Sequence, residues 1–229
     1  MGEQKDVLII SKSKKHHNYC VAAIDCEKLS LVRIISDDEG IHYAIKSNDL
    51  IDEEGNEAQV LDKVTVNLKE NDIELNYQPE NILLDTDKYI INYGNQDNED
   101  LIKILDELSN RYDYIFYDTE KKILSDDLED IDEEDRHSLE VIKSKSVTVR
   151  VKNNEKHTLK ASVRYKGKWY NDLSITDINF EQEYFDKVES SQKGYITLEN
   201  VYLVLSLGEN YEGNHYKLVA SVIQSVFYI

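Results

Sequence analysis

A basic run near the N-terminus, Ser11-Lys-Ser-Lys-Lys-His-His-Asn-Tyr-Cys20, is the first stretch whose residue types could bind a ligand. Apolar residues 7–10 and 19–24 flank it, so the pattern predicts a strand, a basic loop and a second strand. Lysine and protonated histidine bind anions through charge-assisted hydrogen bonds. The candidate residues are Ser13, Lys14, Lys15 and His16. The alternative is a solvated lysine loop, because runs of charge usually face solvent.

Arg33 lies on the next predicted strand, where period two places it on one face with Leu29, Leu31 and Ile35. An arginine among apolar neighbours needs a partner, which is either an acid or carbonyl of the protein or a ligand phosphate. We predict one anionic pocket for the N-terminal candidates. Its expected lining is Lys14, Lys15, His16 and Arg33, with Lys217 and Trp169 contributing from the C-terminal half.

A second basic region spans residues 143–168, which hold nine Lys or Arg and one Glu, a net charge of +8. Two alternating strands are predicted here, at 147–151 and 159–165, with a cationic stripe on one face. The stripe residues are Arg150, Lys152, Lys160, Arg164 and Lys166. Trp169 follows, in Lys166-Gly-Lys-Trp-Tyr170, and such a cluster can stack a base and hold its phosphate. A core tryptophan at a barrel corner is the alternative.

Catalytic and metal chemistry find little support in the sequence. His16 and His17 lie near Cys20, but Cys20 begins an apolar strand, where a buried cysteine is ordinary, and no orienting third group is visible. Asp177, after Ser-Ile-Thr, is typical of a residue that caps or closes a turn. No Cys/His cluster has zinc spacing. We therefore expect no enzyme activity, no cofactor and no metal.

The chain of 229 residues has a formal charge of −19, which argues against a generic, charge-driven DNA binder. Residues 118–135 alone hold ten acidic residues and two lysines, and we expect this segment to be exposed and dispensable for folding. No apolar run is long enough for a transmembrane helix, and the N-terminus lacks a signal-peptide core. With two cysteines, a cytoplasmic protein without membrane contact is expected.

The predicted elements indicate a mainly β protein with minor α content. Strands at 60–68 and 73–77 extend the N-terminal set, and a helix is predicted over 97–111, with Asp97 as its N-cap. We predict a first barrel at 1–95, a connecting helix and acidic segment at 96–135, and a second barrel at 136–229. Two small five-stranded barrels with a connecting helix are what two OB-folds would look like, and OB surfaces commonly carry single-stranded nucleic acids.

Three separated blocks of the sequence resemble the dual OB-containing domain family of prokaryotes. The first block is Leu8-Ile-Ile-Ser-Lys-Ser-Lys-Lys-His-His-Asn-Tyr-Cys-Val-Ala-Ala-Ile-Asp25, continued by Leu31-Val-Arg-Ile-Ile-Ser36. The others are Leu173-Ser-Ile-Thr-Asp177 and Leu203-Val-Leu-Ser-Leu-Gly-Glu209 with Tyr216-Lys-Leu-Val-Ala-Ser-Val-Ile223. The resemblance implies two OB-folds and a nucleic-acid-binding role, often in defence systems. Carried over residue by residue, it implies ligand contacts by Ser13, Lys14, Lys15, His16, Arg33, Thr176, Asp177 and Lys217.

Two functions remain open at this point. The first is a non-catalytic module that binds nucleic acid or a nucleotide, either single-stranded or modified. The alternative is a protein-interaction or regulatory subunit whose acidic face docks a partner protein encoded in the same operon.

Overall fold

Strands dominate both halves of the computed structural model, which describes residues 3–95, 98–152 and 158–224. The chain divides into two units, Met1–Ile104 and Leu105–Ile229. The predicted connecting segment therefore belongs mostly to the second unit.

The first unit is a half-barrel built on one six-stranded sheet, in the order β5-β3-β2-β1-β4-β6. Its strands are β1 (Glu3–Lys15), β2 (Asn18–Asp25), β3 (Ser30–Ile35), β4 (Asp62–Leu68), β5 (Asn81–Leu83) and β6 (Ile91–Asn95), and 3₁₀ helices lie at Glu39–Ile41 and Ser47–Leu50. β3 and β5 run parallel, whereas the other pairs are antiparallel. A single bridge, Leu68 to Leu84, joins the ends of the β4 and β5 regions.

The predicted basic loop is wrong, because β1 continues through Lys15 and pairs it with Asn18 of β2. Only His16 and His17 form the turn, with positive φ angles of 45° and 65°. Paired left-handed residues are typical of the tight hairpin turn whose twist matches the flanking strands. Lys12 and Lys14 therefore lie on one face of the strand and Lys15 on the other.

The predicted strand at 73–77 is also wrong. Residues 69–80 form a connection in which Gln78 N donates to Leu75 O and Ile73 N donates to the Asn71 side chain. Alternating apolar residues form a strand only where a neighbour supplies hydrogen bonds, and here β5 already occupies the place beside β3.

The second unit contains a closed five-stranded barrel. Its elements are α1 (Asn98–Leu108, shared with the first unit), β7 (Lys122–Leu124), α2 (Ser125–Glu129), a 3₁₀ helix at Glu133–Asp135, β8 (Leu139–Lys152), β9 (Thr158–Tyr165), β10 (Lys168–Ile175), α3 (Ile178–Glu189), β11 (Tyr195–Tyr211) and β12 (Asn214–Gln224). The sheet order is β10-β9-β8-β11-β12-β7, and parallel pairing of β10 with β12 closes the barrel. The helix α3 lies between the third and fourth barrel strands. The predicted fold, mainly β with two OB-type units, is confirmed.

The helix predicted at 97–111 is present as α1, and its apolar residues Leu101, Leu105 and Leu108 are buried. The expected N-cap, Asp97, lies outside the described residues.

The acidic segment is more structured than its charge suggests. Most of its carboxylates are exposed, as predicted, but β7 pairs with the edge of β12. Ile123 and Leu128 are buried apolar anchors. Deleting the segment would remove a strand from the sheet, so the expectation that it is dispensable has no support in the fold.

Candidate functional site

A basic and aromatic surface covers the outer face of the second barrel, on strands β8, β9 and β10. Alternation along β9 buries Val163 and Tyr165 and leaves Arg164 outside. The β9–β10 register places Trp169 directly opposite Arg164. Trp169 is 60% exposed, which excludes the core-tryptophan alternative. An exposed indole and a guanidinium thus form a cross-strand pair.

Beside this pair lies an open cavity of about 550 Å³. We call it the basic groove, and its lining residues are Asn110, Lys143, Ser144, Lys145, Ser146, Thr148, Ser162, Arg164, Tyr165, Lys166 and Trp169. Four of the lining residues are cationic and none is acidic. Glu199 of β11, an exposed acid outside the lining, pairs with Ser146 in the β8–β11 register.

The four cations of the basic groove differ in their availability. Lys143 Nζ lies 2.6 Å from Asp106, and Lys166 Nζ lies 3.0 Å from Asp113. The side chains of Lys145 and Arg164 have no hydrogen-bonded or ion-paired partner within the described residues. The groove therefore offers two uncompensated positive charges, hydroxyl groups and one exposed indole, a combination suited to a phosphate next to an aromatic base.

The predicted cationic stripe is present along the same face but is partly neutralised. Arg150 and Lys160 lie opposite each other in the β8–β9 pair. Arg150 is ion-paired with Asp172, and Lys160 Nζ donates to Ser174 Oγ at 2.6 Å. Burial lowers the pKa of Lys160 below that of an ordinary lysine. The stripe is thus strongest at the end where Arg164 meets Trp169.

The N-terminal candidates occupy different environments. Lys14 and His16 are exposed, and the His16 ring stacks on His42 with 4.3 Å between centroids. Lys15 is half-buried. Ser13 is buried and its hydroxyl donates to Cys20 O at 3.4 Å.

Arg33 is separated from Lys14 by the sheet itself. Lys14 pairs with Tyr19, which packs on the barrel core. Arg33 is 2% exposed and its Nη1 donates to Cys20 Sγ at 2.6 Å, on the other face. The one pocket predicted for Lys14 and Arg33 together is therefore not formed, because neighbouring residues of a strand face opposite sides.

Lys217 is a buried structural cation. It is 1% exposed, and its Nζ donates to Ile115 O at 2.6 Å, to Asp118 O at 2.9 Å and to Asp118 Oδ1 at 2.6 Å. Burial lowers its pKa, while Asp118 acts in the opposite direction. With all three donor positions used inside the protein, Lys217 does not contact a ligand from this position.

Thr176 and Asp177 connect β10 to α3. The Thr176 hydroxyl donates to Val219 O at 3.3 Å. Asp177 is the N-cap of α3, and its carboxylate accepts from Phe180 N at 3.0 Å and from Val222 N at 2.9 Å. The capping interpretation of Asp177 is thus correct, and the family-derived ligand role is not supported at this buried position.

The pH dependence of stability should carry the signature of Asp177. Burial raises the pKa of its carboxyl group, and hydrogen bonds from Phe180 N and Val222 N oppose that rise. A pKa raised in the folded state gives stability that is present below the unfolded value, about 3.9, and is lost as pH rises through the folded value. The stability of the unmodified protein relative to Asp177→Asn should therefore fall with rising pH. Urea unfolding of both proteins at a series of pH values measures this. The prediction fails if the unmodified protein becomes more stable relative to Asp177→Asn as the pH rises.

The sequence placed Lys145 in the basic region 143–168 without giving it a role, and it did not identify Ser146 or Ser162 as parts of a site. Ser146 and Ser162 carry no distinctive signal by themselves. Alternation along the two predicted strands does place Ser162 on the same face as Arg164, and this was the available signal.

Together, these features define a protein of two OB-type units with a basic, aromatic outer face on the second. The family model described as the dual OB-containing domain matches residues 5–222, nearly the whole chain. The chain belongs to this family, and the family and fold indicate an OB-fold binding module. A search of curated proteins finds no match to the chain. Within the described residues, no helix has the length and apolar character needed to cross a membrane.

Proposed function

We propose that the protein is a non-catalytic module that binds single-stranded nucleic acid on the outer face of its second barrel. The observation that carries the proposal is the exposed Trp169 opposite Arg164, at the rim of the basic groove. Bases stack on an exposed indole whatever their sequence, and the adjacent guanidinium contacts a phosphate.

The position of the groove on the barrel supports the same function. In the order of the closed barrel, β9 and β10 are the second and third strands, with α3 between the third and fourth. The face of strands two and three is the surface through which OB-folds generally bind oligonucleotides. Arg164 and Trp169 both lie on it.

A formal charge of −19 is compatible with this site, since charges separated by more than about 8 Å are largely screened at physiological salt. The groove itself has no acidic lining residue. Few phosphates are contacted, however, so the salt dependence should be shallow. For two contacts to a single strand, the slope of log affinity against log salt is about −1.4.

Trp169 is the only tryptophan in the chain, so its fluorescence reports directly on the proposed site. We expect a single-stranded oligonucleotide to quench this fluorescence in a saturable way. A mononucleotide and a duplex of equal length should bind more weakly, because one lacks neighbouring phosphates and the other conceals its bases.

Replacing Trp169 by alanine should weaken oligonucleotide binding about tenfold to a hundredfold, the cost of losing one stacked base. Fluorescence anisotropy of a labelled oligonucleotide measures this in the variant. The matched control is Tyr211→Ala, which removes another exposed aromatic residue of the same unit, at the β11–β12 turn and outside the groove lining. Equal affinity in the Trp169 variant and the unmodified protein would refute the proposed site. A nuclease-resistant complex with a partner protein, in the absence of oligonucleotide binding, would favour the interaction-subunit alternative.

A further inference from the structure

A second cavity, of about 310 Å³, lies in the second unit and is chemically unlike the basic groove. We call it the aromatic cavity, and its lining residues are Tyr112, Asp113, Tyr114, Tyr117, Ile131, Asp135 and His137. Four of the seven are aromatic, two are carboxylates and none is a lysine or arginine. The loop between α1 and β7 supplies the tyrosines and Asp113, and the end of the acidic segment supplies Ile131 and Asp135.

The rings that form the cavity are held in place by contacts within the unit. The Tyr112 ring stacks on His137, with centroids 4.1 Å apart and an interplanar angle of 7°. The Tyr117 hydroxyl accepts from His137 N at 2.7 Å and donates to His137 O at 3.0 Å. His137 Nε2 lies 2.8 Å from Glu140, which is buried. A ligand would therefore meet a wall already in its final arrangement, which reduces the ordering cost of binding.

The loop itself is fixed at three further points by hydrogen bonds to the barrel. Tyr165 donates its hydroxyl to Tyr112 O at 2.5 Å, and Ile115 N donates to the Tyr170 hydroxyl at 3.1 Å. The third bond is donated by Lys217 Nζ to Ile115 O. These contacts maintain Phe116 and Tyr117 at positive φ angles of 44° and 72°. Backbone in this region persists only where surrounding structure enforces it.

The electrostatics of the aromatic cavity favour a cation. Aromatic ring faces are negative, and a cation within about 6 Å of a ring centroid is attracted to them. Lys168 of the same chain already uses the Tyr114 ring in this way, with its Nζ 4.1 Å from the centroid, and Lys166 neutralises Asp113. The Asp135 carboxylate has no hydrogen-bonded or ion-paired partner within the described residues, and three more exposed acids, at 132–134, precede it. The negative charge available to a ligand therefore lies on the Asp135 side of the cavity.

The chemistry of the lining also distinguishes between kinds of cation. A metal ion would require several converging oxygen ligands, and the lining contains only two carboxylates among rings and an isoleucine. A bare ammonium would lose strong hydration that rings replace poorly. An alkylated ammonium has no such donors to satisfy and presents apolar methyl groups to the rings.

We infer that the aromatic cavity binds an alkylated ammonium group, either on a small organic cation or on a methylated lysine side chain. This site is independent of the proposed nucleic-acid surface, because Trp169 and Arg164 take no part in it. The two adjoin at the loop 110–114, where Lys166 and Tyr165 of the basic groove contact Asp113 and Tyr112 of the aromatic cavity.

The test is an NMR titration of the ¹⁵N-labelled full chain with choline and with 3,3-dimethylbutan-1-ol, its uncharged isostere. We expect choline to shift the amide resonances of residues 112–117 and 131–137 saturably, with the isostere about tenfold weaker or without effect. Equal binding of both compounds would reveal a merely apolar cavity and overturn the inference. The absence of saturable shifts with choline and with free trimethyllysine would overturn it as well.

Variants connect the shifts to the cavity. Tyr114→Leu should weaken choline binding about tenfold, and Asp135→Asn roughly twofold to fivefold, because its carboxylate is exposed and screened. Tyr195→Leu, outside the lining, is the matched control and should leave the affinity unchanged. Trp169→Ala should also leave it unchanged, so failure of the nucleic-acid proposal and failure of this one are separable. Undiminished choline binding in both cavity variants would contradict the assignment.

A final comparison separates the two sources of the cation. If a short peptide containing trimethyllysine binds much more tightly than choline, the source of the cation is a modified protein. Equal affinities would identify a small molecule. Unmodified lysine in the same peptide should bind at least about tenfold more weakly than its trimethylated form, and equal binding of the two would overturn the preference for alkylation.

Discussion

Replacing Lys145 and Arg164 together by glutamate is expected to lower the affinity for a single-stranded oligonucleotide by about a hundredfold or more. Each charge-assisted contact contributes roughly 1.5–3 kcal/mol, and every 1.4 kcal/mol is tenfold in affinity. The two new carboxylates would also repel the phosphates. Anisotropy of a labelled oligonucleotide at constant salt measures the loss.

Stability should be nearly unchanged in this double variant. Both side chains are exposed and neither has a partner within the described residues. Exposed charges contribute on the order of 0–1 kcal/mol even when they are paired. A thermal melt of the variant therefore distinguishes loss of the site from loss of the fold.

The matched control is Lys14→Glu with Lys15→Glu, which makes the same change of net charge in the first unit. We expect this control to retain most of the affinity, because both lysines belong to the first unit and neither lines the basic groove. If the control loses binding and the groove variant does not, the ligand lies at the β1–β2 hairpin instead. Equal losses in both would indicate attraction by the general field of the protein.

The strand pattern of the second barrel could be predicted because alternation is a local property. The predicted strands at 147–151 and 159–165 lie inside β8 and β9, and Arg164 lies on the exposed face as expected. The aromatic and basic cluster at Trp169 was visible for the same reason. A turn at residues 166–167 places Trp169 beside Arg164, and this pairing depends only on residues close together in the sequence.

The extent of β1 could not be predicted, because strand length depends on the partner as well as on local composition. Lysines and serines beyond Ile10 predict a loop, yet β2 supplies hydrogen bonds as far as Asn18. The preceding bulge, between Ile9 and Ser11, also changes which residues face the core. The predicted pocket failed because these lysines belong to a strand.

The burial of Lys217 could not be predicted from the sequence, for a different reason. The acceptors of Lys217 lie about a hundred residues earlier in the chain, at Ile115 and Asp118. Nothing near Lys217 in the sequence indicates that its charge is compensated. The family resemblance implied a ligand contact there, whereas the fold uses this lysine to hold a loop.

Because Lys217 anchors the loop at 115–118, replacing it should have the largest expected effect on stability. Lys217→Met keeps the length of the side chain and removes its three hydrogen bonds. Ile115 O then becomes a buried acceptor without its lysine partner, and each such group costs about 1–3 kcal/mol. Asp118 is partly exposed and can be rehydrated, and removing a buried charge offsets some of the loss. We expect the free energy of unfolding to fall by about 2–3 kcal/mol, measured by urea denaturation.

The control for this variant is Lys187→Met on α3, which breaks an exposed ion pair with Glu183. That change should alter stability by less than about 0.5 kcal/mol, as is typical of helix pairs four residues apart. Since Lys217 anchors Ile115, its loss should also release Phe116 and Tyr117 from their positive φ angles. Faster amide exchange at 112–118 would follow, at denaturant concentrations where the barrel remains folded. A Lys217 variant as stable as the Lys187 control would mean that the loop is held by its bonds to Tyr165, Tyr170 and Glu140 alone.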